Sequence, residues 1–282
     1  MNNIFRYLWN KSVLLAGSCC ALLLVLFLAA GGFFIPTEDA YPLAASASMP
    51  PSFDYPFGTD SQGRNLLAVA VYGTRMTLQI GFISAAIGLF VGTSLGFISA
   101  YFGGVLDTVI KWMTDVCLTI PELLILVVVA SSFGGESISV FSMAAIISLM
   151  SWRWPARVIR AQALTMKKQD YIVMAQLSGM GGLEIIFKEM VPNLLPFLGA
   201  AFTGSVRGAI FDTIGLSALG LGPLREPELG VTIYWIISQN AMLRGLWWWP
   251  IMPVALILFV MITLYLLTAG FDEVANPRLQ RN

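Results

Sequence analysis

The chain has 282 residues, of which 57% are hydrophobic and 11% charged, with mean hydropathy +0.78. Soluble domains carry about 25% charged residues, so water is not this chain's main solvent. Net charge is formally zero, which leaves no bulk-charge case for a nucleic-acid partner, and the absence of histidine excludes histidine-based catalysis, metal ligation and proton relays.

Crossing a bilayer core takes about 20 apolar residues, and six runs are candidates. They are Val13–Ile35, the stretch between Arg75 and Asp107, Val116–Phe133 (broken only by Glu122), the short Ile138–Trp152, Leu194–Gly222, and the stretch between Arg244 and Asp272. Arg6 and Lys11 ahead of the first run resemble a signal peptide, but the run exceeds the roughly 7–15 residues of such a segment, so an uncleaved first helix is expected. Cys19, Cys20 and Cys117 sit inside apolar runs and form neither a disulfide framework nor a CxxC pair.

Six spans put both termini on one side. If that side is the cytoplasm, eleven basic residues lie inside and four outside, with Arg207 within a span. The positive-inside rule therefore favours N-in, C-in. The expected division is a tail and first span at 1–35, an outer loop at 36–74, a five-helix core at 75–271 and a tail at 272–282. The core holds a long cytoplasmic loop at about 153–193. The outer loop is rich in Pro, Ser and Ala, and its "PFGTDSQGRNLL" carries turn residues leading into a short helix.

The cytoplasmic loop contains "QDYIVMAQLSGMGGLEIIFKEMVPN", Gln169–Asn193, and reads as a helical hairpin. Tyr171, Met174, Ala175 and Ser178 fall at i, i+3, i+4 and i+7 on one face. Gly179 stands where a C-cap glycine belongs, and Gly181–Gly182 allow a sharp turn. Leu183, Ile186, Phe187 and Met190 form a second apolar face, and Pro192 is expected to stop that helix before the fifth span. Such a helix suits a groove on a cytoplasmic partner. It suits equally a position flat on the membrane surface.

These residues resemble the cytoplasmic EAA loop of binding-protein-dependent ABC importers, in the glycine, the thirteen-residue step to Pro192 and the "PN" pair. From end to end the chain is similar to C-type permeases of the dipeptide/oligopeptide/nickel family. "FGTDSQGRN" resembles FGTDxxGRD, "GTRMTL" resembles GxRxSL, "GLSALGLG" resembles SFLGLG and "ANPRL" resembles DPRL. The resemblance implies an all-α membrane protein with six transmembrane helices and the type I ABC importer permease fold. It implies a second, homologous permease in a heterodimer, two cytoplasmic ATPases that bind ATP and Mg, and an extracytoplasmic solute-binding protein. The hairpin would be the coupling helix seated in an ATPase cleft, and this chain would hold no cofactor or metal. The sequence departs from the pattern in places. Val173 replaces the EAA glutamate, Met174 stands where the first alanine is usual, and Asn65 and Asn276 replace aspartates.

Arg207 and Asp212 are candidates for the translocation path or a gate, since a charge at mid-bilayer costs roughly 2.5–3.5 kcal/mol on insertion scales. A self-neutralising ion pair is the alternative. Glu122, beside Pro121, is expected near headgroups. Gly88, Gly92 and Gly96 form a small-xxx-small ladder for helix packing, and "WWWP" at Trp247–Pro250 reads as an interfacial anchor.

No Walker A or HExxH is present, and no GxSxG stands with a plausible base, so the reading is a non-catalytic importer subunit rather than an enzyme. An ATP-independent channel or secondary transporter is the rival. Family members are associated with peptides, nickel or metal chelates, and small oligosaccharides. The Trp-rich start of span six and "DEVANPRL" loosely resemble the oligosaccharide branch.

Overall fold

The computed structural model describes residues 12–133 and 138–275. Arg6, Lys11, Arg278, Arg281 and the "ANPRL" motif from Asn276 onward lie outside the described residues. Within them the chain is helical, joined by turns and one isolated bridge between Thr59 and Asn65. In order, α1 is Ser12–Phe34, α2 Leu66–Phe102, α3 Gly104–Thr119, α4 Glu122–Ser131, α5 Val140–Ser151 and α6 Arg153–Met166. Next come α7 Asp170–Leu177, α8 Gly182–Ile185, α9 Val191–Leu216, α10 Leu229–Ser238 and α11 Trp248–Ala275.

Among the described residues, four helices have the length and apolarity to cross a membrane, at Val13–Phe34, Leu66–Phe102, Gly182–Leu221 and Trp248–Glu273. The expected third span is not one straight helix. α3 and α4 meet at an 84° bend because Pro121 disfavours a helical residue before it, and Ile120 is extended at φ −81°, ψ 131°. The short fourth run is also corrected. α5 has only 12 residues, but Trp152 keeps helical angles and leads directly into α6. Thus Arg153–Met166, expected as the start of a loop, prolongs the fourth helix. At the other end α2 begins at Leu66, with Asn65 accepting from Leu67 N–H (3.0 Å) as N-cap. The expected outer loop therefore ends nine residues earlier than Thr74, and its short helix is the first turns of a 37-residue one.

α2 is the spine. Gly88, Gly92 and Gly96 are buried against the α5–α6 rod. A Cβ on Gly92 would lie 2.5 Å from the Trp152 carbonyl oxygen, and one on Gly96 2.9 Å from the Arg160 nitrogen. A Cβ on Gly88 would strike Ser151. The missing side chains let the two backbones touch. Gly17 and Gly270 make a similar seam between α1 and α11.

The two ends differ. One end gathers Leu66–Tyr72, Ile236, Leu246, Trp249 and Met252 around the outer loop. The opposite end gathers Phe97, Ala100, Ile159, Ile172, Ile185, Met190 and Leu194 around the hairpin. At the first end Tyr41 donates to Glu226 at 2.9 Å. Burial and the adjacent carboxylate push the phenol up to about 12.

Two outcomes follow. Gly92→Val is expected to destabilise the purified subunit by about 1–3 kcal/mol through overpacking, whereas Gly204→Ala, with nothing within 4 Å of its added Cβ, is expected to hold or raise the melting temperature. Because the Tyr41 pKa is raised on folding, its contribution is intact below pH 10 and lost as pH rises through about 12. Tyr41→Phe should flatten that alkaline decline in denaturant titrations.

Candidate functional site: the hairpin and the charged cluster at the helix break

α7 ends in a Schellman motif. Gly179 N–H donates to the Gln176 carbonyl (3.1 Å) and Met180 N–H to the Ala175 carbonyl (3.2 Å), with Gly179 at φ +79°. Met180 and Ala175 pack in the same cluster, the apolar contact that accompanies this cap. A residue with a Cβ would be strained at that φ even though the space around it is open.

The expected single face of α7 is divided. Ala175 turns inward, 8% exposed, beside the fully buried Ile172. Tyr171, Met174 and Ser178 face outward. The outward surface is nonetheless apolar, since Val173 is 41%, Met174 62% and Leu177 79% exposed. Leu183 and Phe187 on the returning arm are exposed too, while Ile186 and Met190 are buried. Glu184 and Lys188 pair on the surface at 2.6 Å, each holding the other in its charged form.

Pro192 does not stop the second helix. Gly182–Leu221 is one helix of 40 residues, made continuous by a π-helical turn at Ile186–Met190. A proline cannot donate and its ring crowds the carbonyl four residues earlier. The wider turn shifts the ladder, with Val191 N–H donating to the Ile186 carbonyl, and so admits the ring.

Arg207 and Asp212 do not pair with each other. Five residues carry the helix about 140° beyond a full turn, so they face different neighbours. The Arg207 guanidinium lies over the Tyr265 ring at 5.9 Å. Asp212 lies near Glu122 and Arg153. Glu122 forms a salt bridge with Arg153. Arg153 also donates to the Cys117 carbonyl at 3.1 Å. One guanidinium thus ties the end of α3 to the start of α4, at the bend itself.

Sequence reasoning missed several residues that organise the opposite end. Glu228 is fully buried, caps α10 through the Gly230 and Val231 N–H groups (2.9 and 3.0 Å), and accepts from Thr77 at 2.8 Å. Thr77 belongs to "GTRMTL", whose Gly73 is pressed against the Pro227 carbonyl. In "FGTDSQGRN", buried Asp60 accepts from Gln62 N–H, Arg64 N–H and Arg64 Nε at 2.8, 2.9 and 2.5 Å. "GLSALGLG" holds a second π turn, with Gly220 at φ +82°. The Trp triplet is not simply an anchor. Trp247 is exposed, Trp248 donates to the Thr59 carbonyl at 3.2 Å, and Trp249 is wholly buried.

The model of the binding-protein-dependent transport system inner membrane component family matches residues 88–281. The chain is 32% identical over 228 residues to the dipeptide transport system permease protein DppC of Haemophilus influenzae, covering 80% of this chain and 75% of that protein. It is 27% identical over 281 residues to the Bacillus subtilis DppC (98% and 85% covered). It is 32% identical over 222 residues to the oligopeptide transport system permease protein OppC of Lactococcus lactis subsp. cremoris (78% and 74% covered). The chain belongs to the binding-protein-dependent transport system inner membrane component family. It is a permease subunit of an ABC importer, a multi-pass protein of the bacterial plasma membrane that works with ATPase and solute-binding components.

Arg153→Met should leave the Glu122 carboxylate and the Cys117 carbonyl unmatched, at about 2–3 kcal/mol. The double variant Arg153→Met/Glu122→Gln should regain part of that loss in a thermal-unfolding cycle.

Proposed function

We propose that the hairpin is the coupling element of the importer, seated in a cleft of an ATPase through the outward side of α7. The observation that carries this is the exposed crest of Val173, Met174 and Leu177, held rigid by the inward Ile172 and Ala175 and by the glycine cap. Tyr171 and Ser178 flank the crest, so contact by shape replaces the absent EAA glutamate. The returning arm passes Pro192 without interruption into α9, so force applied at the cleft enters a membrane helix directly.

In this reading the chain crosses the membrane six times, through α1, α2, the bent α3–α4, the α5–α6 rod, the helix that includes α9, and α11. Both termini are cytoplasmic. The tail and first span, the outer loop, the five-helix core with its coupling loop and the terminal tail keep the order read from the sequence. The chain pairs with a second, homologous permease as a heterodimer, and two ATPases bind ATP and Mg. A solute-binding protein delivers substrate to the end built by the outer loop and α10, and lipid surrounds the rest. Arg207 and Asp212 serve as path or gate residues, Asp212 through its link to the break between α3 and α4. Short peptides are the proposed substrate, supported by relatives named for dipeptide and oligopeptide transport. Thermal-shift screening of the binding protein with peptides, oligosaccharides and nickel chelates tests this, and stabilisation by sugars or chelates alone would overturn it.

Met174→Ser is expected to weaken assembly with the ATPase by about 2 kcal/mol, roughly 30-fold in affinity, from lost apolar burial. Gly179→Val is expected to leave membrane insertion intact while separating ATP hydrolysis from uptake in proteoliposomes. Unchanged coupling in Gly179→Val would remove the hairpin from this role.

A further inference from the structure

The last carbonyls of a helix lack intrahelical donors and attract cations. At the end of α2 that cation is Lys167, whose Nζ donates to the Tyr101 carbonyl at 2.6 Å and reaches the Ala100 carbonyl at 3.5 Å. The same ammonium lies 5.4 Å from the centre of the Tyr101 ring. Lys167 caps α6 immediately before the hairpin's first arm. From the other side Gly182, which opens the second arm, is packed on that ring, and a Cβ there would lie 2.5 Å from Tyr101 Cε1. The residue at the end of α2 is therefore held by both roots of the hairpin at once.

Higher up, α2 and the returning arm separate. A cavity of ≈ 340 Å³ lies elsewhere at the outer end, but a larger one, ≈ 490 Å³, opens between the 90–98 stretch of α2 and the 183–191 arm, lined mostly by apolar side chains with Thr93 and Ser94 among them. Along that stretch the two helices are not packed continuously. Below it the hairpin meets α2 at Tyr101 and in the cluster of Phe97 and Ala100 with Ile172, Ala175, Ile185 and Ile186, and above it α9 returns to α2, where a Cβ on Gly81 would lie 2.5 Å from Ile210 Cγ1.

We propose that Tyr101 and Lys167 form the joint at the root of the hairpin, through which its displacement reaches the adjacent end of α2 and, through the glycine ladder, the α5–α6 rod. They are positioning residues for coupling. Two charge-assisted hydrogen bonds to backbone carbonyls, a cation over the ring and a glycine seat resist pulling, pushing and rotation at one point. The inference rests on the hairpin being the element that docks to the ATPase.

The test uses the assembled transporter, with Cys19, Cys20 and Cys117 replaced by Ser and spin labels at Phe90→Cys and Gln176→Cys, both exposed and the second off the docking crest. The expected result is a narrow distance distribution with the same mean in the nucleotide-free and ATP–vanadate-trapped states, because hairpin and α2 move together. Tyr101→Ala/Lys167→Met should widen the distribution and shift it on trapping, with ATP hydrolysis retained but no longer stimulated by the binding protein. Gly182→Val, which displaces the ring without deleting any partner, should do the same. Tyr101→Phe and Lys167→Arg should keep the parental distribution. A double variant with the parental distribution, or a parental pair that itself separates on trapping, would overturn the joint. A parallel Met174→Cys cross-link to the ATPase reports docking alone. Its absence in the parent would overturn the docking reading, and the joint with it, whatever the labels show.

Discussion

Two helices can share hydrogen-bonded rigidity across a bilayer only if their backbones come close enough to exclude lipid between them. Everything at the hairpin end depends on such an approach, where α2 meets the α5–α6 rod at Gly88, Gly92 and Gly96. In lipid there is little hydrophobic gain from helix association, so packing and close van der Waals contact carry it. The ladder fixes the rod's position. The rod then sets Lys167 against the end of α2, and Arg160 against Asp107 at 2.6 Å, in a pair joined by Ser99. Remove the close approach and the platform beneath the hairpin has no fixed height.

The charged residues divide by what satisfies them. Asp60 and Glu228 are buried without solvent, each held by backbone N–H groups and one side-chain donor. These are local devices, and they stiffen the end opposite the hairpin. Arg153 and Arg160 instead join separate helices, the first at the break between α3 and α4 and the second at the end of α2. The chain thus places fixed, backbone-bound carboxylates at one end and interhelical ion pairs toward the other. Ion pairs between helices can exchange partners when helices shift. A carboxylate locked into a helix N-terminus cannot.

Much of this was legible in the sequence, and the misses have physical causes. Hydropathy located the long helices because an apolar run of span length has few other uses. It failed at Ile120–Pro121 because composition does not register a change of direction. The i, i+3, i+4 pattern placed Ala175, Met174 and Tyr171 on one side of α7. That helix is apolar nearly all round, so periodicity could not say that Ala175 faces the core and Met174 the solvent. Pro192 misled for a different reason: the breaker rule assumes an α-helical ladder, and a π turn supplies another. Glu228 and Thr77 are 151 residues apart, and no local signal joins them. Gly179 was readable because one backbone conformation has essentially one residue that fits it.

The helix that runs from Gly182 to the kink at Gly220 has a consequence for scale. Forty residues at 1.5 Å each make a beam of about 60 Å, with the exposed arm of the hairpin at one end and the Gly220 turn beside α10 at the other. Pivoting such a beam by about 5° near one end moves the far end by about 5 Å, close to one helical turn. The π turn beside Pro192, and Pro196 one turn on, interrupt the regular ladder of the beam only a few residues from the hairpin. In the proposed coupling role, a stroke delivered below that point would be spent partly on bending and one delivered above it magnified, so leverage would depend on where along one helix the push arrives.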